Sequence, residues 1–117
     1  MLDFEGELAV VIGNHGRHIP QDEAFNHIAG YSIFNDGSVR DRQRHTVQFC
    51  PGKNFEGTGP LGPWMVAPDE FGDLPYSQTL ITRLNGDMVQ HTGIDMMDHK
   101  IEKIEKIYID CTHFTSW

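Results

Sequence analysis

Two glutamates, Glu5 and Glu7, flank a single glycine in the stretch LDFEGELAVVI near the start of the chain. Side chains on an extended strand alternate with a period of two, so both carboxylates would fall on one face. Gly6 between them leaves the opposite face open for close packing. Asp36 ends another short apolar segment, YSIFND, where a third carboxylate could converge. Hard oxygen donors without cysteine suit Mg²⁺, Mn²⁺ or Ca²⁺ better than Zn²⁺. Two bare carboxylates ~4 Å apart repel by about 4 kcal/mol at an effective dielectric near 20, so a divalent ion is the natural relief for three. The same glutamates could instead line a solvated strand face far from Asp36. Spacing alone leaves both readings open.

Other chemistries find less support. His15 and His18 are separated as His-x-x-His, but inside a glycine-containing turn. His27 falls in an expected helix and His91 in an expected hairpin, and none has a partner at metal-binding spacing. Cys50 precedes Pro51 with no base nearby in sequence, so it reads as a plain thiol. Cys50 and Cys111 are too few for a disulfide framework and too distant for a metal knuckle, which points to a reduced, cytoplasmic protein. The chain has 117 residues, with 9 Lys+Arg against 17 Asp+Glu and a formal net charge of −8. That balance excludes a nucleic-acid binder, which must displace counterions from phosphates, and disfavours an anionic membrane surface. No apolar run approaches the ~20 residues needed to span a bilayer.

The elements that must position the acids follow from patterning. The second half of residues 2–12 is a continuous apolar run, expected to be a strand covered on both faces. A turn follows at residues 13–16. In IPQDEAFNHIAGY, Pro20 suits a first helical position, Asp22 and Glu23 suit the dipole, and Ala24, Phe25, Ile28 and Ala29 share a face. Gly30 is expected to end that helix, and residues 31–34 to form a short strand. Residues 41–63 read as a polar, glycine-rich loop whose backbone could approach a ligand. Residues 64–67 read as a short strand and 68–75 as an acidic turn. Residues 80–84 and 88–91 flank Asn85-Gly86, a strong hairpin signal. Ile101, Ile104 and Ile107 in KIEKIEKI are spaced for a helical stripe. The sum is an α+β, β-rich fold in one domain.

Four blocks in order, DFEGELAVVIG, AGYSIFNDGSVRDRQ, PGKNFEGTGPLGPW and LNGDMVQHTGIDMM, resemble the catalytic region of the fumarylacetoacetate hydrolase superfamily. The resemblance covers residues 2–97 and implies a partial catalytic domain over residues 1–97, followed by a divergent amphipathic tail over 98–117. It implies an incomplete mixed-sheet roll of that family's C-terminal domain type, commonly a homodimer. It also implies an enzyme using Mg²⁺ or Mn²⁺ to hydrolyse, decarboxylate or isomerise 2-oxo, acylpyruvate or β-diketo acids. Carried over by motif, the metal ligands are Glu5, Glu7 and Asp36. Arg40 and Gln43 fall on residues that contact the substrate or organise its site, and Lys53 on a lysine beside the metal and the substrate oxygens. An ion pair with Asp41 or another acid is the alternative for Arg40, and an exposed loop cation the alternative for Lys53.

The family also carries an upstream lid with a histidine and a glutamate that activate water in the hydrolases, and a downstream T-G-T-P turn. Neither motif occurs in these residues. The expectation is therefore of a metal-binding middle, for which tautomerisation or decarboxylation is easier to retain than hydrolysis. A catalytically inactive metal- or partner-binding fragment is the alternative.

Overall fold

The apolar opening forms two strands rather than one, β1 (Leu2–Asp3) and β2 (Gly6–Ile12), and the break between them falls at Phe4 and Glu5. The computed structural model describes residues 1–72 and 75–104. A 3₁₀ turn at Gln21–His27 leads into β3 (Ile28–Asn35), then β4 (Ser38–Val39) and a one-turn helix α1 (Arg40–Gln43). A second 3₁₀ turn, Cys50–Gly52, precedes helix α2 (Pro68–Phe71). A hairpin of β5 (Thr79–Leu84) and β6 (Asp87–Gly93) closes the described sheets. The strands pair antiparallel as β1 with β4, β2 with β3 and β5 with β6.

The break at Glu5 has a local cause. Its N–H donates to the side-chain Oδ1 of Asn35 at 2.9 Å, and its carbonyl accepts from the Asp36 N–H at 2.9 Å. A side chain thus replaces one rung of the ladder, and the chain changes partner from β4 to β3. The expectation of a strand covered on both faces fails: no residue of β2 is fully buried. Among the described residues β2 has β3 as its ladder partner, and beside its other edge at Gly6 stand Gln90 of β6 and Thr82 of β5.

The expected helix ends earlier than its apolar pattern suggests. Ile28 pairs with Ile12, so Ile28 and Ala29 belong to β3, and Gly30 lies inside that strand instead of capping a helix. β-branched residues fit a pleated surface, and the available ladder partner wins over the helical face. A Cβ at Gly30 would sit 2.7 Å from the Val66 carbonyl, so glycine lets residues 65–66 cross closely. There Tyr31 and Val66 exchange two hydrogen bonds of 2.8 Å, but this is an isolated bridge and not the strand expected at 64–67.

The hairpin forms where expected, with Asn85 at φ 53° and Gly86 at φ 95°, the left-handed pair that a tight two-residue turn requires. The core gathers Ile28, Tyr31 and Ile101, with Leu8, Val10, Phe25, Phe71, Tyr76 and Met97 around it. Phe71 of α2 stacks on Tyr31 at a centroid distance of 4.6 Å. The start of the isoleucine stripe is helical over residues 101–104, and Ile101 is 2% exposed. Ile107 lies outside the described residues. Among the described residues no helix is long and apolar enough to cross a membrane.

Candidate metal centre

Three backbone devices deliver the acids. Glu7 stands opposite Phe34 near the start of β2, and Glu5 sits at the break two residues earlier. Asp36 occupies the turn between β3 and β4, fixed by its N–H on the Glu5 carbonyl. A Cβ on the following Gly37 would lie 2.4 Å from the Thr58 carbonyl, so only glycine lets the long loop close over that turn. The outcome is convergence: one carboxylate oxygen from each of Glu5, Glu7 and Asp36 lies within 4.8 Å of the others. Among the described residues this is the one group of three possible metal ligands, and no histidine joins it.

Lys53 reaches two of the same carboxylates. The 3₁₀ turn at Cys50–Gly52 ends with the Lys53 N–H on the Cys50 carbonyl at 3.0 Å. Gly52 packs so tightly on α1 that a Cβ there would meet the Gln43 backbone at 2.7 Å. Pinned this way, Lys53 Nζ donates to Glu5 Oε2 at 2.8 Å and to Asp36 Oδ2 at 2.5 Å. Within the loop Gly52 therefore approaches the protein's own chain, and the expectation that its glycines make room for a ligand is not met there, whereas a Cβ at Gly57 would meet nothing within 4 Å.

Glu5 is the most heavily held of the three. Ser38, fully buried, donates its hydroxyl to Glu5 Oε1 at 2.8 Å. Arg40 donates Nη1 to the same oxygen and Nε to Asp3 Oδ2 at 2.8 Å. Gln43, also buried, accepts from Arg40 Nη1 at 3.0 Å. Arg40 thus forms an ion pair with Asp3 and Glu5, the alternative reading for this residue, while Asp41 pairs with the N-terminal amine.

The electrostatics follow the contacts. Burial alone would raise the Glu5 carboxyl, but hydrogen bonds from Lys53, Ser38 and Arg40 outweigh it and hold the group below its ordinary value. Burial would likewise lower the Lys53 ammonium, and Asp36 with Glu5 more than reverse that, so it stays charged. Glu7 differs. Although Glu7 is exposed, partial desolvation of its carboxyl, then the charges of Asp36 and Glu5, push that carboxyl up against the opposing charge of Lys53. No described residue donates a hydrogen bond to the Glu7 carboxylate. Three oxygen donors, one of them without a hydrogen-bond donor among the described residues, form a donor set that suits a hard dication.

The family model described as fumarylacetoacetate (FAA) hydrolase C-terminal matches residues 1–107. This chain belongs to the fumarylacetoacetate hydrolase family. It is 40% identical to the oxaloacetate tautomerase YisK of Bacillus subtilis over 107 residues, 91% of this chain and 35% of that protein. Among solved structures, fumarylacetoacetate hydrolase from Exiguobacterium antarcticum is 36% identical with a TM-score of 0.89, covering 97% of this chain and 40% of that one. The 2-hydroxyhepta-2,4-diene-1,7-dioate isomerase of Mycobacterium marinum is 32% identical with a TM-score of 0.90, covering 98% of this chain and 44% of that one. The chain spans about a third of the length of the curated relatives it matches. The fold is that of the family's C-terminal domain, a part of it, with small sheets and few helices.

Sequence reasoning left out Asp3, Asn35, Ser38 and Gln90, all of which hold the site. Ser38 stands inside the N-D-x-S-x-R-D-x-Q block and could have been read from it. Gln90 stands inside the LNGDMVQHTGIDMM block, but nothing in the spacing of β6 ties it to a residue 84 positions away.

Proposed function

We propose that this chain carries the divalent-metal centre of an enzyme that enolises or cleaves small 2-oxo or acylpyruvate-type acids. One observation carries the reading: three carboxylates from two segments remote in the chain meet within 4.8 Å, with a charged lysine on two of them. Glu5, Glu7 and Asp36 are the residues that would hold Mg²⁺ or Mn²⁺. A divalent cation bound there would act as a Lewis acid on the substrate's carbonyl oxygen.

The chain's own side chains do the rest of the work in this scheme. Lys53 keeps its proton and sets a fixed positive charge beside the position where an enolate oxygen develops, the arrangement in which preorganised electrostatics contribute most. Arg40 and Ser38 hold Glu5 in one orientation, and Gln43 holds Arg40. Arg40 therefore acts on the substrate through the intervening Glu5 carboxylate. The relatives named a tautomerase and an isomerase support proton transfer next to a carbonyl, which needs no attacking water, and the one named a hydrolase supports cleavage at the same centre.

Calorimetric titration of Mg²⁺ or Mn²⁺ into the wild type and Asp36→Ala tests the site. A single binding event in the wild type, weakened at least about tenfold in the variant, is expected on the loss of one of three ligands. Equal binding by both overturns it. Turnover of oxaloacetate and acylpyruvates with Mg²⁺ against a chelator tests the reaction. Binding without any metal-dependent turnover would leave this chain a metal-binding module.

A further inference from the structure

We propose that Gln90 is a positioning residue for the metal centre, its side-chain amide setting the angle at which Glu5 and Glu7 present their carboxylates. The inference rests on the reading of those glutamates as metal ligands. Gly6 stands opposite Asn35 in the β2–β3 ladder. Its neighbours Glu5 and Glu7 turn their peptide groups toward β3, and alternation turns those of Gly6 the other way, to the outer edge of β2. There Gln90 takes both. Gly6 N–H donates to Gln90 Oε1 at 3.0 Å, and Gln90 Nε2 donates to the Gly6 carbonyl at 2.8 Å.

One side chain therefore occupies the place of a missing strand for a single rung. The rung is the one between the two glutamates. The Gly6 N–H belongs to the peptide plane shared with Glu5, and its carbonyl to the plane shared with Glu7. Rotation of either plane would swing a glutamate away from Asp36, and the amide of Gln90 restrains both at once. The amide is itself held, because Thr82, its cross-strand partner, donates Oγ1 to Gln90 Oε1 at 3.0 Å. The close fit explains the glycine: a Cβ at position 6 would lie 2.2 Å from Thr82 Oγ1 and 3.0 Å from Gln90 Oε1. The hairpin is thus connected to the metal centre without contributing a ligand.

The test is Mn²⁺ affinity of the full chain, read by calorimetry and by the electron paramagnetic resonance signal of free Mn²⁺, at a temperature where circular dichroism shows each variant folded. Gln90→Met keeps the length and removes both bonds, and the expected result is affinity about 10- to 100-fold weaker, the range for groups that orient metal ligands. Thr82→Val, milder and retaining the amide, is expected to weaken binding a few-fold and serves if Gln90→Met does not fold. Ile101→Ala destabilises the core remote from the centre and is expected to lower the melting temperature while leaving Mn²⁺ affinity unchanged, which separates positioning from general stability. Folded Gln90→Met and Thr82→Val that bind Mn²⁺ as the wild type does would overturn this inference alone. A wild type that binds no Mn²⁺ would overturn the metal-centre reading and this role with it.

Discussion

Replacing Lys53 by methionine removes the ammonium that, among the described residues, joins Glu5 to Asp36, while keeping much of the apolar stem. The two carboxylates stay within 4.8 Å of each other. Unit charges at that distance repel by about 3.5 kcal/mol at an effective dielectric near 20. The side chains of Lys53, Glu5 and Asp36 are 21%, 26% and 29% exposed, so solvent takes up part of this. A loss of about 1–2 kcal/mol is the reasoned magnitude. For a chain of this size it corresponds to a melting temperature lower by roughly 5–10 °C in chelator at pH 7. The pH dependence fixes the sign. Glu5 has a native value held below its ordinary 4.5 in part by Lys53, so that stabilisation is present above 4.5 and lost as pH falls through the lowered native value. The gap between wild type and Lys53→Met should therefore be full at neutral pH and close under acid. Saturating Mn²⁺ should raise the variant's melting temperature more than the wild type's, because it restores the missing positive charge. Scanning calorimetry between pH 7 and the acid transition measures all three. Equal melting temperatures in chelator, or a gap unchanged by acid, would refute the electrostatic account of the site.

Two further substitutions probe the frame around the acids. Ser38→Ala removes a fully buried donor to Glu5 Oε1 and should cost about 1–2 kcal/mol in urea unfolding, with less stability lost on acidification, since Glu5 would be held low less strongly. Gly52→Ala drives a Cβ to 2.5 Å from Gln43 Cβ, so α1 and the turn bearing Lys53 must part. A cost of about 1–3 kcal/mol by thermal melting is expected, together with weakened Mn²⁺ binding by titration.

How far the sequence reaches can be judged from particular residues. The Asn85-Gly86 turn was legible because both positions need left-handed backbone, a demand that few residue types meet. The strand bearing Glu7 was legible from its continuous apolar run, and the turn bearing Asp36 from the Asn-Asp pair that ends a short aromatic and β-branched run. The fate of Ile28 was not. Its spacing fits a helical face, and only Ile12, sixteen positions earlier, draws it into β3. Nor was the break at Glu5, which depends on its N–H donating to the side chain of Asn35 across thirty positions.

The amino-acid order by itself determined the donor chemistry: three hard carboxylates, a lysine and an arginine, and no histidine or cysteine set to compete with them. The resemblance of the four blocks picked out these residues, and their hardness and charge followed from residue type, since both are properties of single residues. Only the tertiary structure decided that Glu5, Glu7 and Asp36 share one small volume, that Arg40 is spent on Asp3 and Glu5, and that Gln90 closes the outer edge of Gly6. These are distances between segments remote in the chain. They are fixed by which strand edges pair and which peptide groups would otherwise go unsatisfied, and no local spacing encodes that choice.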